Sequence, residues 1–136
     1  MRKLDTAVLH IGFEKTGTSS LIATLNASHA ALARHGILVP QTERDHIILS
    51  MAFRDNDAGR WARTGLKSEA EAAAYTARKI AEITAQVAAF QGSTVLFSAE
   101  SLAGMQRHET ERLARYTETL AHHTAILCYV RHPIAA

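Results

Sequence analysis

Hydrophobic and polar positions divide this chain into three short apolar runs and the amphipathic segments between them. The runs cover residues 7–11, 94–98 and 125–130, and each has the length of a buried strand. A fourth segment, residues 37–40, predicts a peripheral strand or a loop, which Pro40 closes. Because helical segments alternate with these strands, the pattern predicts right-handed crossovers and a parallel sheet in a three-layer α/β/α arrangement.

The first half of the chain predicts two helices. Apolar residues at helical spacing predict a helix over residues 18–34, and Gly36 ends it. Residues 45–53 predict a short second helix with His46 at its entrance. The histidine is either a surface or capping residue or a polar contact to a substrate.

The second half predicts two longer helices. Ser68 and Glu71 have the spacing of a capping box, which predicts a helix that runs to about residue 90. Its core stripe comprises Ile80, Ile83, Val87 and Phe90. Residues 107–123 predict another amphipathic helix. Its inner side carries Leu113, Tyr116 and Leu120, and its outer side or margin carries Glu109, Glu111, Arg112 and Arg115.

Composition narrows the class of protein. The chain has 136 residues, enough for one domain and too few for two ordinary ones. A balance of 15 basic to 13 acidic residues argues against binding of nucleic acid over a whole face. Cys128 is the single cysteine, which precludes an internal disulfide and fits a reducing cytoplasm. We therefore expect a cytoplasmic protein with no signal peptide and no membrane segment.

The histidines do not predict a metal site. The chain has eight of them, and none forms an H-x-x-x-H or H-E-x-x-H pair. His122 and His123 are adjacent, so their side chains point in different directions in a helix or a strand. We expect no metal.

Residues 12–20, hereafter the anion loop, have the composition of an anion-binding segment. Gly12 and Gly17 allow tight turns, and Lys15 supplies a positive charge. Hydroxyl groups come from Thr16, Thr18, Ser19 and Ser20. A strand, a tight loop and a helix N-terminus together aim unpaired N–H groups at one point. The alternative is a glycine-containing turn that binds nothing.

The position of the lysine separates two kinds of phosphate loop. Gly12 and Gly17 have the spacing of a Walker A motif, but Thr18 stands where that motif has lysine. The displacement of the lysine to Lys15 argues against hydrolysis of ATP or GTP. The run K-T-G-T-S-S that starts at Lys15 instead resembles the 5′-phosphosulfate loop of the sulfotransferase family, P-K-[TS]-G-T-[TS]-x-L, with Glu14 in place of the proline.

Two later positions extend this resemblance. Arg131 and Pro133 follow the last apolar run, and a strand that ends in R-[DNH]-P resembles the 3′-phosphate-binding element of sulfotransferases. Glu100 follows the middle run, where it is either a general base or a carboxylate that faces a helix N-terminus. The family has a serine several residues after the arginine, beyond the last residue given, Ala136. We therefore expect the N-terminal portion of a truncated sulfotransferase domain, either a fragment of a longer protein or a decayed copy, with weak or no activity alone.

The resemblance implies transfer of a sulfuryl group from 3′-phosphoadenosine 5′-phosphosulfate to an acceptor hydroxyl or amine, without a metal. Lys15 and Glu100 are the implied catalytic residues, and His46 is the reserve candidate for the base. The implied donor-binding residues are Lys15, Thr16, Gly17, Thr18, Ser19, Ser20 and Arg131.

The acceptor stays open, and a saccharide is one of the candidates. Arg54, Arg60, Trp61 and Arg63 either clasp an anionic or sugar-like acceptor or form a solvated loop. Two alternative functions also stay open, a P-loop nucleotide kinase or NTPase and a non-catalytic nucleotide-binding domain.

Overall fold

The computed structural model describes residues 3–12, 18–42, 46–55, 67–99, 102 and 104–129. The described strands are β1 (Leu4–Gly12), β2 (Ile37–Leu38), β3 (Thr94–Ser98) and β4 (Ala121–Tyr129). The described helices are α1 (Thr18–Ala27), α2 (His29–Arg34), α3 (Ile47–Phe53), α4 (Glu69–Ala89) and α5 (Arg107–Leu120). Helices and strands alternate along these ranges, as the sequence predicts.

The four strands form one parallel sheet in the order β2-β3-β1-β4. β1 pairs with β3 on one side and with β4 on the other, so the first strand of the chain lies inside the sheet. Every connection between successive strands contains at least one helix, as parallel pairing requires. The predicted α/β class with a parallel sheet is confirmed.

A cluster of apolar side chains joins the sheet to α3, α4 and α5. Register pairs Ala7 with Val95 and Leu9 with Phe97, and all four side chains are buried. The helices contribute Ile48, Leu49, Ile83, Val87, Leu113 and Leu120 to the same core. Each fully buried side chain of this size stabilises the fold by about 1.5–3 kcal/mol. This packing fixes the central strands against the three helices.

The predicted first helix is divided into α1 and α2 at Ser28. The Nδ1 atom of His29 lies 2.8 Å from the carbonyl oxygen of Asn26, so a side chain competes for that oxygen. Ser28 itself still donates its N–H to Thr24 O, at 2.9 Å. The division is therefore a local break in a nearly continuous helical segment.

Glycines shape the connection from α2 to the sheet. Gly36 has φ +82°, a left-handed conformation that favours glycine after a helix, and the predicted helix end is confirmed. The Gly36 carbonyl accepts hydrogen bonds from the N–H groups of Ser93 and Thr94. A Cβ atom on Gly92 would lie 2.6 Å from that carbonyl oxygen, so the close approach requires glycine there. The contact leads directly into the short pairing between β2 and β3.

The start of α4 is the predicted one. Ser68 is the N-cap residue, and its hydroxyl accepts a hydrogen bond from the N–H of Glu71 at 3.1 Å. The carboxylate of Glu71 reaches back to the N–H of Lys67, also at 3.1 Å. Ile83 and Val87 are buried as predicted, while Ile80 and Phe90 pack partly buried against the core.

The prediction was wrong at the junction of the last helix and strand. The helix ends at Leu120 rather than at residue 123, and β4 begins at Ala121 with no intervening loop. Pairing of Leu4 with Ala121 and of Thr6 with His123 extends β4 along almost all of β1. The backbone hydrogen bonds to β1 stabilise these residues as a strand, although the spacing of their polar side chains also suits a helix.

β4 lies at one end of the described sheet order and is largely exposed. Ile126 is 61% exposed, and Leu127 is the other large apolar side chain exposed among the described residues. Among the described helices, none has both the length and the apolar character needed to cross a membrane.

Candidate functional site

Three adjacent strands end at the same edge of the sheet. β1 pairs with β3 at His10 and Ser98, and it pairs with β4 at Gly12 and Tyr129. Neighbouring strands in a sheet lie about 4.8 Å apart. The carboxyl ends of β3, β1 and β4 therefore form one continuous edge, which is where open α/β sheets bind ligands.

The described residues include part of the predicted donor site. α1 begins at Thr18, so Thr18, Ser19 and Ser20 form its first turn, where backbone N–H groups have no partner inside the helix. The other predicted site residues, Lys15, Thr16, Gly17, Glu100 and Arg131, lie outside the described residues, as do Arg60, Trp61 and Arg63.

A buried side-chain contact joins β1 to β3 at this edge. His10 Nδ1 lies 2.7 Å from Ser98 Oγ, within hydrogen-bonding distance. The two residues are 1% and 2% exposed, respectively. The N–H of Ala99 also donates to the carbonyl of His10 at 3.1 Å, so a main-chain and a side-chain contact both hold the end of β3 to β1. Burial lowers the pKa of the His10 imidazole and favours its neutral form.

His46 hydrogen-bonds the backbone of β3 on the side away from β1. Its ring Nδ1 accepts a hydrogen bond from the N–H of Ser98 at 2.7 Å, and its own N–H donates to the Ser98 carbonyl at 3.2 Å. Its Nε2 lies 2.8 Å from the carbonyl oxygen of Pro40, and its ring meets Phe97 edge to face. Since β2 ends at Leu38, the histidine takes the hydrogen-bonding place that a longer β2 would fill.

These contacts define the tautomer of His46 and its role. A carbonyl oxygen only accepts hydrogen bonds, so Nε2 carries the proton that it donates to Pro40, and Nδ1 accepts from Ser98. Both nitrogens are used, and the residue is 3% exposed. His46 therefore has no nitrogen available to take a proton from an acceptor. The geometry favours a structural role over the reserve assignment as the base.

A second polar cluster lies between the end of α3 and the start of α5. Contrary to the prediction of an outer position, Glu109 is 4% exposed. Its carboxylate accepts the N–H of the N-cap residue Gln106 at 2.8 Å, as part of a capping box for α5. It also accepts the N–H of Asp55 at 2.6 Å. These two hydrogen bonds, in that order, are the main causes that lower the pKa of Glu109. The carboxylate is buried because it satisfies backbone donors.

Arg54 and Asp55 belong to the same cluster. Arg54 Nε lies 3.8 Å from Glu109 Oε2, so this arginine, a predicted acceptor contact, forms an internal ion pair. Asp55 pairs with Arg112 and with His108, and these hydrogen bonds, in that order, lower the pKa of its carboxyl. The network links α3 to α5.

The cluster also contains the single group of potential metal ligands found among the described residues. Asp55, His108 and Glu109 each have one ligand atom within 4.8 Å of the others. The contacts above engage the four carboxylate oxygens and His108 Nε2 with protein partners: Asp55 with Arg112 and His108, and Glu109 with backbone N–H groups. An ion-pair and capping network accounts for the cluster without a metal.

The fold and this edge define an α/β protein with a four-stranded parallel sheet and a helix that starts after the central strand. Comparison with protein-family models, with curated proteins and with solved structures finds no match for this chain. The class of protein therefore rests on its own residues and geometry.

Reasoning from the sequence missed the contact between His10 and Ser98. Each is a polar residue near the end of an apolar run, and each run leads to a predicted site segment. A polar side chain at the carboxyl end of a buried strand was the available signal. Its partner became identifiable only through the register of β1 with β3.

Proposed function

We propose that this chain carries the donor-binding half of a sulfotransferase site, which uses 3′-phosphoadenosine 5′-phosphosulfate as the sulfuryl donor. In this proposal the described sheet is part of a sulfotransferase-like core related to P-loop proteins. The acceptor is a hydroxyl or an amine, and a saccharide fits the predicted chemistry.

The observation that supports the proposal most strongly is the order of the strands. The three motifs that resemble sulfotransferases follow β1, β3 and β4, and these are neighbours in the sheet. Lys15 comes three residues after Gly12, Glu100 comes two residues after Ser98, and Arg131 comes two residues after Tyr129. The three motifs are far apart in the sequence, but each follows one of three neighbouring strands, as a single shared site requires.

The roles follow from the charges of the donor. The anion loop supplies a cation, hydroxyl groups and the first turn of α1 for the 5′-phosphate and the sulfate. Arg131 supplies a guanidinium for the 3′-phosphate. These contacts hold the donor in a geometry suited to displacement at sulfur.

The reaction breaks the bond between sulfur and the bridging oxygen and forms a bond from sulfur to the acceptor atom. Lys15 stabilises the negative charge that develops on the bridging oxygen. Glu100 takes the proton that the acceptor releases, and adenosine 3′,5′-bisphosphate leaves. The engagement of both His46 nitrogens in the fold favours Glu100 over that histidine as the base.

Isothermal titration with adenosine 3′,5′-bisphosphate and with ATP tests the proposal. We expect the bisphosphate to bind and ATP to bind much more weakly, because the lysine is displaced from its Walker position and a contact for a 3′-phosphate is present. Tighter binding of ATP would favour the kinase or NTPase alternative. Absence of binding to both would overturn the assignment of a nucleotide site.

A further inference from the structure

β1 and β3 are joined by side chains at the last residue of β3, two residues before β1 ends. The imidazole of His10 and the hydroxyl of Ser98 meet at 2.7 Å in a buried setting. His10 lies two residues before Gly12, the first residue of the anion loop, and Ser98 lies two residues before Glu100. The two residues in contact therefore lie shortly before the two segments that supply the proposed catalytic residues.

Because the contact is buried, it favours one relative position of β1 and β3. Burial of a polar group costs free energy unless the group has a hydrogen-bond partner. If either strand were displaced, this hydrogen bond would be lost, and no water molecule would replace the partner in the buried setting. His46 restrains the Ser98 backbone from the other side through two further hydrogen bonds. The end of β3 is therefore fixed by two histidines, one on its backbone and one on its side chain.

We propose that His10 and Ser98 are a positioning pair that couples the anion loop to the segment containing Glu100. The pair touches neither the donor nor the acceptor. The pair sets the placement of the anion loop relative to the segment that contains Glu100. A change to the Ser98 side chain on β3 that breaks the contact therefore alters the anion loop after β1, and a change to His10 on β1 that breaks it alters the segment after β3. The effect of the pair on donor binding rests on the proposed function, whereas the coupling itself is measurable without a ligand.

The test uses Ser98→Ala, which removes the hydroxyl with little change in volume. Ser50→Ala is the matched control, because Ser50 is a fully buried serine on α3 whose Oγ has no hydrogen-bond partner among the described residues. His10→Asn is the conservative variant, since its side-chain amide can hydrogen-bond Ser98 from near the position of Nδ1. Two-dimensional ¹H–¹⁵N spectra of the free proteins report the backbone environment of each segment.

We expect S98A to shift the amide signals of Glu14 to Thr18, in the segment that follows β1, beyond the shifts that S50A causes. We expect His10→Asn, which keeps a hydrogen bond to Ser98, to leave the amide signal of Glu100 near its wild-type position. Shifts of S98A confined to β3 and its immediate neighbours would overturn the coupling. If S98A does not fold, Ser98→Cys, which keeps the size and a weaker hydrogen-bonding group, is read by the same criteria.

The same samples, titrated with adenosine 3′,5′-bisphosphate, separate this proposal from the proposed function. We expect weaker binding to S98A than to wild type, by at most about fivefold, the factor that corresponds to the full free energy of one buried hydrogen bond, and unchanged binding to S50A. A wild-type spectrum that does not respond to the bisphosphate would contradict the proposed function, while the ligand-free shifts still decide the coupling. Equal affinity of wild type and S98A would overturn the role of the pair in donor binding.

Discussion

His46 completes the hydrogen bonding of Ser98 at the place where β2 has already ended. Its Nδ1 accepts the Ser98 N–H at 2.7 Å, and its N–H donates to the Ser98 carbonyl at 3.2 Å. Pro40 follows β2 closely and has no N–H to continue a ladder, yet its carbonyl accepts the proton of His46 Nε2. One side chain therefore joins the segment after β2 to the end of β3.

This relationship predicts a large loss of stability for His46→Ala. The substitution leaves the N–H of Ser98 and the carbonyl of Pro40 without their side-chain partner in a buried setting. We expect the free energy of unfolding to fall by about 2–4 kcal/mol, measured by urea denaturation. His29→Ala is the matched control, because His29 is an exposed histidine at the start of α2, and its cost should stay below about 1 kcal/mol.

The opposite pattern would contradict the structural role of His46. If His46→Ala kept its stability and lost only sulfuryl transfer, the histidine would act in the chemistry instead. Comparison of the urea midpoint with the rate of sulfuryl transfer distinguishes the two cases.

Glu109→Gln tests the buried capping box of α5. The carboxylate accepts the N–H of Gln106 on Oε1 and the N–H of Asp55 on Oε2, whereas an amide has one acceptor oxygen and leaves one of these N–H groups facing its NH2 group. The amide also loses the ion pair with Arg54. We expect a lower urea midpoint than for Glu111→Gln, which alters a half-exposed carboxylate paired with Arg107 four residues away. Equal midpoints for the two variants would show that the buried carboxylate does not stabilise the helix start.

The same carboxylate predicts a loss of stability in acid. The pKa of Glu109 is lowered in the fold, so its contribution is present at pH values above its unfolded pKa of about 4.5 and is lost as the pH falls through the folded pKa. Glu109→Gln removes this part of the pH dependence. Urea midpoints for wild type and variant should therefore converge in acid, and a constant difference down to low pH would contradict the assignment.

His10 predicts a separate dependence near neutral pH. Because burial lowers its pKa below 6.5, the unfolded chain takes up a proton first as the pH falls. The free energy of unfolding should then decrease below about pH 6.5 and level off once the pH is below the folded pKa. Wild type should lose stability relative to His10→Asn over this range. If the free energy of unfolding followed parallel curves for the two proteins from pH 8 to pH 5, the lowered pKa of His10 would be contradicted.

The sequence pattern predicted most of the fold because buried strands and amphipathic helices carry their periodicity locally. The bounds of β3 and the cap at Ser68 follow directly from such signals. The predicted helix end at residue 123 was wrong because a polar segment such as His122 and His123 suits either a helix or an exposed edge strand. Pairing with β1, a contact distant in sequence, decided between them.

The candidate site was predictable only in part, for a related physical reason. Motif spacing predicts a donor site at the anion loop, Glu100 and Arg131, of which only Gly12 and residues 18–20 lie among the described residues. It contains no information on which strands are neighbours. The burial of Glu109 was missed because amphipathic periodicity treats a carboxylate as an outer residue, whereas a helix N-terminus offers it backbone donors. The structural role of His46 likewise depends on backbone groups that become its partners only in the folded chain.

Calorimetric titration of adenosine 3′,5′-bisphosphate into wild type, Lys15→Ala and Lys3→Ala tests the central claim most directly. Lys3 immediately precedes β1, whereas Lys15 follows its carboxyl end, so the two variants remove the same charge at opposite ends of one strand. We predict that Lys15→Ala abolishes measurable binding, that Lys3→Ala binds like wild type, and that both keep the wild-type urea midpoint. Equal affinity of Lys15→Ala and wild type would contradict the assignment of the anion loop as the donor site.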